Sequence, residues 1–350
     1  MTQCSKLAHT EGPDWMPADC IVVVPALNEE KYISHCIESL LHQGISEFPV
    51  IVADGGSTDR TQGIVADIMK REPRVRFIKI PGSQACAVNA VARQTGEGVK
   101  WLIRADAHAV YPAHFVEALI AAARQTRAST VVVPMRTIGH DCFQRAAAAA
   151  QNSRLGNGGA LHRLGTSSRF VDHGHHALFE LEHFRRVGGY DETTGNEDFE
   201  LDHRSREAGG TVWLAAEASI DYIPRDSFWA LGRQYFRHGE ARAQTIVKLT
   251  IIRRTLFPKV RQILPVVVLG FYVVGIGLSP WVPVAMLLPA GHLMTCLFWG
   301  AFLGLRERDL CSAASGICAA VMHLAWAIGL CAGLARHIKT HRAEILHLSK

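Results

Sequence analysis

Three acidic residues of this chain are candidates for chemistry, two of them at or near the ends of apolar runs and one in a short polar segment. Asp54 follows the run 50–53, Asp106 lies just beyond the run 101–103, and Asp198 closes the segment Asn196-Glu197-Asp198. A carboxylate can take a proton from a hydroxyl group as a general base, or supply oxygen ligands to a hard divalent cation. The sequence therefore predicts acid–base or cation-assisted chemistry, provided that the fold brings these carboxylates together.

The elements that would position these carboxylates alternate between strands and helices. We expect strands at 21–24, 50–53, 75–80, 101–103 and 130–133, and helices at 32–42, 60–70, 85–94 and 113–124. Near-continuous Val/Ile runs joined by helices of this length are typical of a parallel sheet that is covered on both faces. Because ligands of such sheets bind at the carboxyl ends of the strands, function is expected in the loops at those ends.

Two of these loops, at 25–30 and 54–59, carry polar groups suited to a nucleotide. Either loop alone would be an ordinary helix cap and turn. Together, Asp54 could accept a hydrogen bond from the imide N–H of a uracil, while Asn28 and Glu29 hold its base and ribose. Neither loop matches GxGxxG or GxxxxGK[ST], which argues against a dinucleotide site and a P-loop. The residues predicted to contact the nucleotide are Pro25, Ala26, Asn28, Glu29, Asp54, Ser57 and Arg104.

Four segments occur in the order and approximate spacing that is typical of the family 2 glycosyltransferases. They are the loops at 25–30 and 53–61, the strand end at Asp106 and the segment 196–198. The resemblance covers about residues 20–240 and extends to membrane-attached enzymes of bacterial exopolysaccharide assembly, such as succinoglycan glucosyltransferases. It implies a GT-A fold, an α/β fold whose mostly parallel sheet is flanked by helices, followed here by transmembrane helices. It also implies inverting transfer from a UDP-sugar, with glucose from UDP-glucose forming a β-bond to a polyprenyl-diphosphate-linked saccharide.

The same resemblance assigns roles to individual acidic residues. Asp198, with Glu197 beside it, matches the motif whose Asp is the general base. Asp106 matches the last Asp of the Asp-x-Asp metal motif, but Arg104 stands where the family has the first Asp. We therefore expect Asp106 to anchor Mg²⁺ or Mn²⁺, with His108 as a second ligand. Arg104 could instead offset diphosphate charge or pair with Asp106.

Two further groups of residues have less specific patterns. His173, His175 and His176 follow Asp172, but they lack the Cys partners and the ligand spacing of zinc sites, so a loop lining the acceptor cleft is the favoured interpretation. Gln234, Arg237 and His238 resemble the QxxRW element of glycan synthases, with His238 in place of Trp. They are predicted to bind the diphosphate or the acceptor, although an interfacial helix on anionic lipid accounts for the same residues.

The net charge of +5 is unevenly distributed. Residues 1–224 carry a net charge of −5, residues 225–261 a net charge of +7, and the tail 336–350 a net charge of +3. Since the part that resembles an enzyme is acidic, general nucleic-acid binding loses its support. The basic segment at 225–261 is predicted to contact lipid headgroups.

Beyond the basic segment, residues 263–305 and 310–335 contain no Asp, Glu, Lys or Arg. At about 20 residues per span, these runs accommodate a hairpin that turns at 279–283 and one further helix, about three spans in all. Three spans would place the basic tail outside, against the positive-inside tendency, so the count stays at two to four. The first 20 residues do not resemble a signal peptide. We thus expect a multi-pass protein of the cell inner membrane with a cytoplasmic catalytic domain.

The expected organisation is an N-terminal extension at 1–19, a catalytic domain at 20–224, a basic interfacial segment at 225–261, transmembrane helices at 262–335 and a basic tail at 336–350. The nine cysteines fit a reducing compartment, and those of the apolar runs, Cys311 among them, are expected to act as small hydrophobes. Alternative functions are a polyprenyl-phosphate sugar transferase, a processive glycan synthase and a non-enzymatic nucleotide-binding membrane protein.

Overall fold

The computed structural model describes residues 19–44, 48–159, 167–193, 195–252 and 260–340. The strands are β1 Cys20–Ala26, β2 Val50–Asp54, β3 Val75–Lys79, β4 Trp101–Arg104, β5 Thr130–Val133, β6 Met135–Thr137, β7 Arg169–Phe170, β8 His175–Glu180, β9 Val212–Leu214 and β10 Ile220–Tyr222. The helices are α1 Ile33–Leu41, α2 Thr61–Arg71, α3 Gln84–Gln94, α4 Phe115–Thr126, α5 Cys142–Gln151, α6 Arg154–Asn157, α7 Leu181–Arg186, α8 Glu197–Glu207, α9 Phe228–Ile246, α10 Val260–Leu278, α11 Leu287–Glu307, α12 Leu310–Ala313 and α13 Ser315–Thr340.

Eight strands form one sheet in the order β3-β2-β1-β4-β8-β5-β9-β7, and β6 and β10 form a separate two-stranded sheet. Strand β1 pairs in parallel with β2 and β4, β2 with β3, and β5 with β9. Strand β8 runs antiparallel to both of its neighbours, and so does β7 to β9. The prediction of a mostly parallel sheet flanked by helices is confirmed, with β8 as a reversed strand in its interior.

Apolar side chains cover both faces of this sheet, as the uninterrupted Val/Ile runs require. Alternate residues of a strand point to opposite faces. In β1, Val22 and Val24 pack with the buried residues of α1 and α4, whereas Ile21 and Val23 pack with those of α3. Since β1 lies between β2 and β4, the chain winds away from it in both directions, and the crevice at the carboxyl ends of β1 and β4 is a natural ligand site.

The described residues fall into two compact units. The first comprises the described residues within 1–135, 165–193 and 197–221, and the second those within 136–164, 194–196 and 222–350. In the second unit, α9 packs closely against α13. At Gly239 an added Cβ would collide with the backbone oxygen of Trp326, and at Gly329 with that of Phe236. Glycine at both positions therefore lets the two helix backbones approach each other.

A disulfide joins Cys142 of α5 to Cys311 of α12, with their Cα atoms 5.1 Å apart. The prediction that Cys311 acts as a small hydrophobe was therefore wrong. The sequence separation of 169 residues concealed the pair, and the packing of α5 against α12 brings the two side chains within bonding distance.

Two helical segments, Pro283–Glu307 and Leu310–Lys339, are long and apolar enough to cross a membrane, while the apolar helix Ile263–Leu278 is shorter. Large apolar side chains on these helices are exposed, including Val273, Phe298 and Leu305. A helix of a soluble protein would turn such side chains toward a core, whereas lipid accommodates them. The segments thus indicate membrane association.

Candidate active site

Arg104 and Asp106, at the carboxyl end of β4, form the centre of the site. The hydroxyl group of Tyr111 accepts a hydrogen bond from the Asp106 backbone N–H at 2.6 Å, which fixes the turn after the strand. The Arg104 side chain is buried, and its Nη2 and Nε lie 3.1 and 3.3 Å from Asp106 Oδ1. Of the two arrangements that the sequence allowed for Arg104, the structure contains the pairing with Asp106.

Asp198 reaches the same guanidinium group from a different element. It lies in the first turn of α8, where the helix dipole favours an acidic side chain. Arg104 Nη1 donates to Asp198 Oδ1 at 2.8 Å and to the Tyr190 hydroxyl group at 3.0 Å. Four of the five guanidinium N–H groups are thus engaged, and Arg104 holds two carboxylates that lie 92 positions apart in the sequence.

Two histidines reach these carboxylates from β8, because that strand runs antiparallel to β4. Ile103 pairs with Leu178, and continuing this register places His175 opposite Asp106. His175 Nε2 lies 3.2 Å from Asp106 Oδ2, and its Nδ1 lies 3.8 Å from Asp198 Oδ2. The expectation of a loop at this point was wrong, since β8 begins at His175.

His176 lies fully buried between two carboxylates of α8. Its Nδ1 is 3.2 Å from Asp198 Oδ1 and 2.7 Å from the Tyr190 hydroxyl oxygen, and its Nε2 is 2.9 Å from Asp202 Oδ1. Asp198 and Asp202 are one helical turn apart and so project from the same face of α8. Burial alone would lower the pKa of His176, but Asp202 and Asp198 outweigh it and raise the pKa to about 10. His176 is therefore a buried imidazolium.

The positive groups keep both catalytic-site carboxylates ionised. Burial by itself would raise the pKa of Asp198, but Arg104 and His176 together hold that pKa well below its usual range. Burial would also raise the pKa of Asp106, but Arg104 and His175 outweigh this effect and lower that pKa. Burial raises the pKa of Asp202 against the effect of His176. Asp198 is still 25% exposed, so an acceptor hydroxyl group could reach it.

Tyr190 is held in place from two sides. The Asn89 side chain donates to the Tyr190 backbone oxygen and accepts from its backbone N–H, both at 2.8 Å. Arg204 bonds to the carbonyl oxygens of Val187 and Gly189, which precede Tyr190. Gly189 has a φ of 68° and faces the Asn89 side chain, so a larger residue would not fit. The turn at 187–190 therefore fixes the phenol that contacts Arg104.

The two loops predicted to bind a nucleotide brace each other. Asn28 adopts a left-handed conformation with a φ of 57°; its Oδ1 accepts from the Thr58 N–H at 2.8 Å, and its own N–H donates to Ser57 Oγ at 2.9 Å. The Glu29 N–H donates to Thr61 Oγ1 at 2.8 Å. Asp54 accepts from the N–H groups of Gly56 and Ser57 and from Gln62 Nε2. These bonds order the loops at the ends of β1 and β2.

The other predicted site residues fall in different places. His108 lies 3.2 Å from Glu29 Oε1 and is half exposed, and Glu197 accepts a hydrogen bond from Gln84 at 2.8 Å. Pro25 and Ala26 end β1. In the second unit, Gln234 on α9 donates to the Tyr222 hydroxyl group at 2.8 Å, while Arg237 and His238 on the same helix are exposed. The roles predicted for these residues stay predictions.

Sequence reasoning missed the contributions of His175, His176 and Asp202 to the carboxylate cluster. Two signals could have identified them. The residues after His176 form the apolar run Ala-Leu-Phe, which is typical of a buried strand. Asp202 stands four positions after Asp198, the spacing that places two side chains on one face of a helix.

The comparisons with known proteins agree with the fold. Residues 21–188 match the family model described as glycosyl transferase family 2. The chain is 40% identical over 316 residues to the succinoglycan biosynthesis protein ExoA of Rhizobium meliloti (strain 1021), covering 88% of this chain and 93% of that protein. A shorter stretch of 57 residues is 46% identical to chondroitin synthase of Escherichia coli, covering 16% of this chain and 8% of that one.

Among solved structures, the mannosyltransferase PcManGT from Pyrobaculum calidifontis, in complex with GDP-Man and Mn²⁺, is similar with a TM-score of 0.52 at 18% identity. The similarity covers 89% of this chain and 90% of that one, and it shows a shared GT-A fold. The fold and the relatives therefore define a glycosyltransferase, as predicted. The chain belongs to glycosyltransferase family 2, and it is similar to a protein of exopolysaccharide synthesis.

Proposed function

We propose that this chain is an inverting glycosyltransferase that moves a sugar from a UDP-sugar to a lipid-linked saccharide in exopolysaccharide biosynthesis. The observation that carries the proposal is the Asp198 carboxylate, which Arg104 and His176 keep ionised beside Asp106 while a quarter of it remains exposed. Glucose is proposed as the transferred sugar from the resemblance to succinoglycan glucosyltransferases, and a single displacement on an α-linked UDP-glucose would give a β-bond.

The proposed reaction is a single displacement. The acceptor oxygen attacks the anomeric carbon, and the bond between that carbon and the diphosphate oxygen breaks, with the electron pair leaving on UDP. Asp198 takes the acceptor proton. A carboxylate with so low a pKa is a weak base, so proton transfer should come late, after the bond to the leaving group has lengthened. The neighbouring cations therefore keep Asp198 ionised, and able to accept a proton, at neutral pH.

The nucleotide is proposed to bind along the ends of β1 and β2. Asp54 would accept from the uracil N–H while it holds its own loop, because a carboxylate has about four lone-pair sites. Pro25, Ala26, Asn28, Glu29 and Ser57 would line the base and ribose. PcManGT, a fold relative, is in complex with a nucleotide sugar, which supports a donor of this class.

A divalent cation fits the donor set around Asp106. Asp106 Oδ2 and His175 Nε2 are 3.2 Å apart, a separation that two ligands of one cation can have, and a carboxylate with an imidazole suits Mn²⁺. Asp106 and His175 would therefore hold the ion, with His108 as a further predicted ligand. When bound, the ion would neutralise charge on the diphosphate. Arg104 would orient both carboxylates around it.

The acceptor is proposed to be a polyprenyl-diphosphate-linked saccharide at the cytoplasmic face of the cell inner membrane. The two helical segments long enough to span a membrane and the basic residues before them support this location. We propose a catalytic domain at 20–224, an interfacial segment at 225–261 and membrane helices at 262–335, flanked by the extension 1–19 and the tail 336–350. Gln234, Arg237 and His238 would contact the acceptor or its phosphates.

The test is a transfer assay with labelled UDP-glucose and lipid-linked acceptors in membranes. We expect Asp198→Asn to lower transfer at least 1,000-fold, an order of magnitude typical of a lost general base, while UDP binding measured by calorimetry stays within about threefold. Asp67→Asn is the matched control, because Asp67 is an exposed carboxylate on α2. Unchanged transfer by Asp198→Asn would refute its role, and transfer to polyprenyl phosphate alone would favour the polyprenyl-phosphate alternative.

A further inference from the structure

A group of metal-binding side chains lies in the second unit and plays no part in the proposed reaction. His292 and Cys296 of α11 and His323 of α13 each direct one donor atom toward a common point, and these atoms all lie within 4.8 Å of one another. His292 and Cys296 are one helical turn apart and share a face. Ionisable side chains are rare in helices that cross a membrane and usually mark a functional site.

Two of the three distances within this group match the edges of a zinc tetrahedron. His292 Nε2 is 3.2 Å from His323 Nδ1 and 3.4 Å from Cys296 Sγ. With ordinary Zn–N and Zn–S bond lengths, tetrahedral coordination places two nitrogens about 3.3 Å apart and a nitrogen and a sulfur about 3.6 Å apart. The third pair, Cys296 Sγ and His323 Nδ1, lies within 4.8 Å, so a zinc ion could bind between these atoms once this pair closes to about 3.6 Å.

The outer contacts of both rings prepare the inner nitrogens to bind a metal. His323 Nε2 lies 2.8 Å from the Leu155 carbonyl oxygen, which can only accept, so the ring proton is on Nε2 and the lone pair of Nδ1 faces the group. His292 Nδ1 lies 3.1 Å from the Tyr272 hydroxyl oxygen. A histidine that binds a metal through one nitrogen commonly donates from the other to a fixed oxygen.

The helix backbones hold the donor atoms in position. An added Cβ at Gly316 of α13 would collide with the Cys296 carbonyl oxygen, and at Gly300 of α11 with the backbone of Ala313 and Gly316. This close approach keeps Cys296 fully buried. A thiol and two imidazoles on rigid helices suit a borderline transition metal better than Mg²⁺ or Ca²⁺.

We propose that His292, Cys296 and His323 bind one Zn²⁺ ion that ties α11 to α13. Cys296 binds as the thiolate and releases its proton to solvent when the metal enters. Three protein ligands leave a fourth position for water. The site shares no residue with the proposed catalytic cation site, which would be formed by Asp106, His175 and His108.

The experiment uses the full chain in detergent, stripped of metal and titrated with Zn²⁺ in excess Mg²⁺. We expect one Zn²⁺ per chain, and at least tenfold weaker binding by Cys296→Ala and His323→Gln, as expected for loss of a direct ligand. Cys318→Ala is the matched control, because Cys318 is a buried thiol of α13 outside the group. Asp106→Asn should bind this Zn²⁺ as tightly as the wild type does.

Cobalt gives a second readout that does not depend on how well the variants fold. Co²⁺ bound to wild-type protein should show a thiolate-to-metal charge-transfer band, and Cys318→Ala should retain it. Absence of the band, no Zn²⁺ binding by wild type, or equal affinity in Cys296→Ala would overturn the proposal. The contacts would then be a metal-free hydrogen-bond chain from Tyr272 through His292 and His323 to Leu155.

Discussion

Replacing Asp202 with Asn tests whether His176 is a buried cation. Asp202 Oδ1 lies 2.9 Å from His176 Nε2, and neither side chain is exposed to solvent. Asn has nearly the same size as Asp and keeps an oxygen that can accept a hydrogen bond from the Gly174 N–H. In the wild type, Asp202 accepts this hydrogen bond at 3.2 Å. What the substitution removes is the negative charge.

The size of the effect follows from the pKa of His176. A pKa of about 10, against an ordinary 6.5, means that folding favours the protonated ring by about 5 kcal/mol. Because burial opposes protonation, the two carboxylates together must contribute more than this net amount of about 5 kcal/mol. Loss of Asp202 should therefore remove at least about half of the net free energy. The pKa of His176 in Asp202→Asn should then fall to about 8 or lower.

The sign of the pH dependence is fixed by the direction of this pKa change. The pKa is higher in the folded state, so His176 stabilises the fold fully below about pH 6.5, and this stabilisation is lost as the pH rises toward 10. The loss is about 1.4 kcal/mol per pH unit. In Asp202→Asn, the loss of stabilisation from His176 should be complete near pH 8. Between pH 8 and 10, only the wild type should continue to lose stability from this residue.

The assay is thermal unfolding of the full chain in detergent, followed by tryptophan fluorescence from pH 6 to 10. Between pH 8 and 10 the midpoint of the wild type should fall by about 5–10 °C more than that of Asp202→Asn. Glu117→Gln is the control, because Glu117 pairs with His114 on the exposed surface, and it should follow the wild type. Parallel curves for Asp202→Asn and wild type over this range would show that His176 is not a cation.

Two further outcomes are expected. Chelation with EDTA should abolish sugar transfer, and Mn²⁺ or Mg²⁺ should restore it. Asp106→Asn should need at least about tenfold more cation for the same activity. Full transfer in EDTA would show that the reaction needs no cation. Gly239→Ala should lower the unfolding free energy by about 1–3 kcal/mol, because its Cβ meets the Trp326 backbone. Gly63→Ala, in open space on α2, should change it by less than about 1 kcal/mol, and equal thermal midpoints would contradict the packing argument.

The elements of the N-terminal part of the chain, from β1 to β5, could be predicted closely. The strand expected at 130–133 is Thr130–Val133, and the helix expected at 85–94 is Gln84–Gln94. Buried parallel strands are uninterrupted runs of Val and Ile. Helix α3 begins at a capping residue, Ser83, whose side chain accepts from the Cys86 N–H. Both signals are local, so a single sequence contains them.

The contacts of the carboxylate cluster could not be predicted in the same way. His175 and His176 are adjacent, yet one faces Asp106 and the other is buried between Asp198 and Asp202. Neighbouring residues of a strand point to opposite sides, so the outcome depends on whether the segment is a strand and on its register with β4. The apolar run after His176 indicates a strand, but its register is set by long-range pairing, which no local pattern records.

The sequence by itself determined which groups the protein has available: acids at the ends of apolar runs, an arginine in place of a metal-binding Asp, and apolar segments long enough to cross a membrane. The tertiary structure decided how those groups act. Because β8 runs antiparallel to β4, its first residues lie at the carboxyl end of β4, and two histidines thereby join Arg104 around Asp106 and Asp198. Strand direction is a property of the packed sheet, and here it sets the charge on the proposed base.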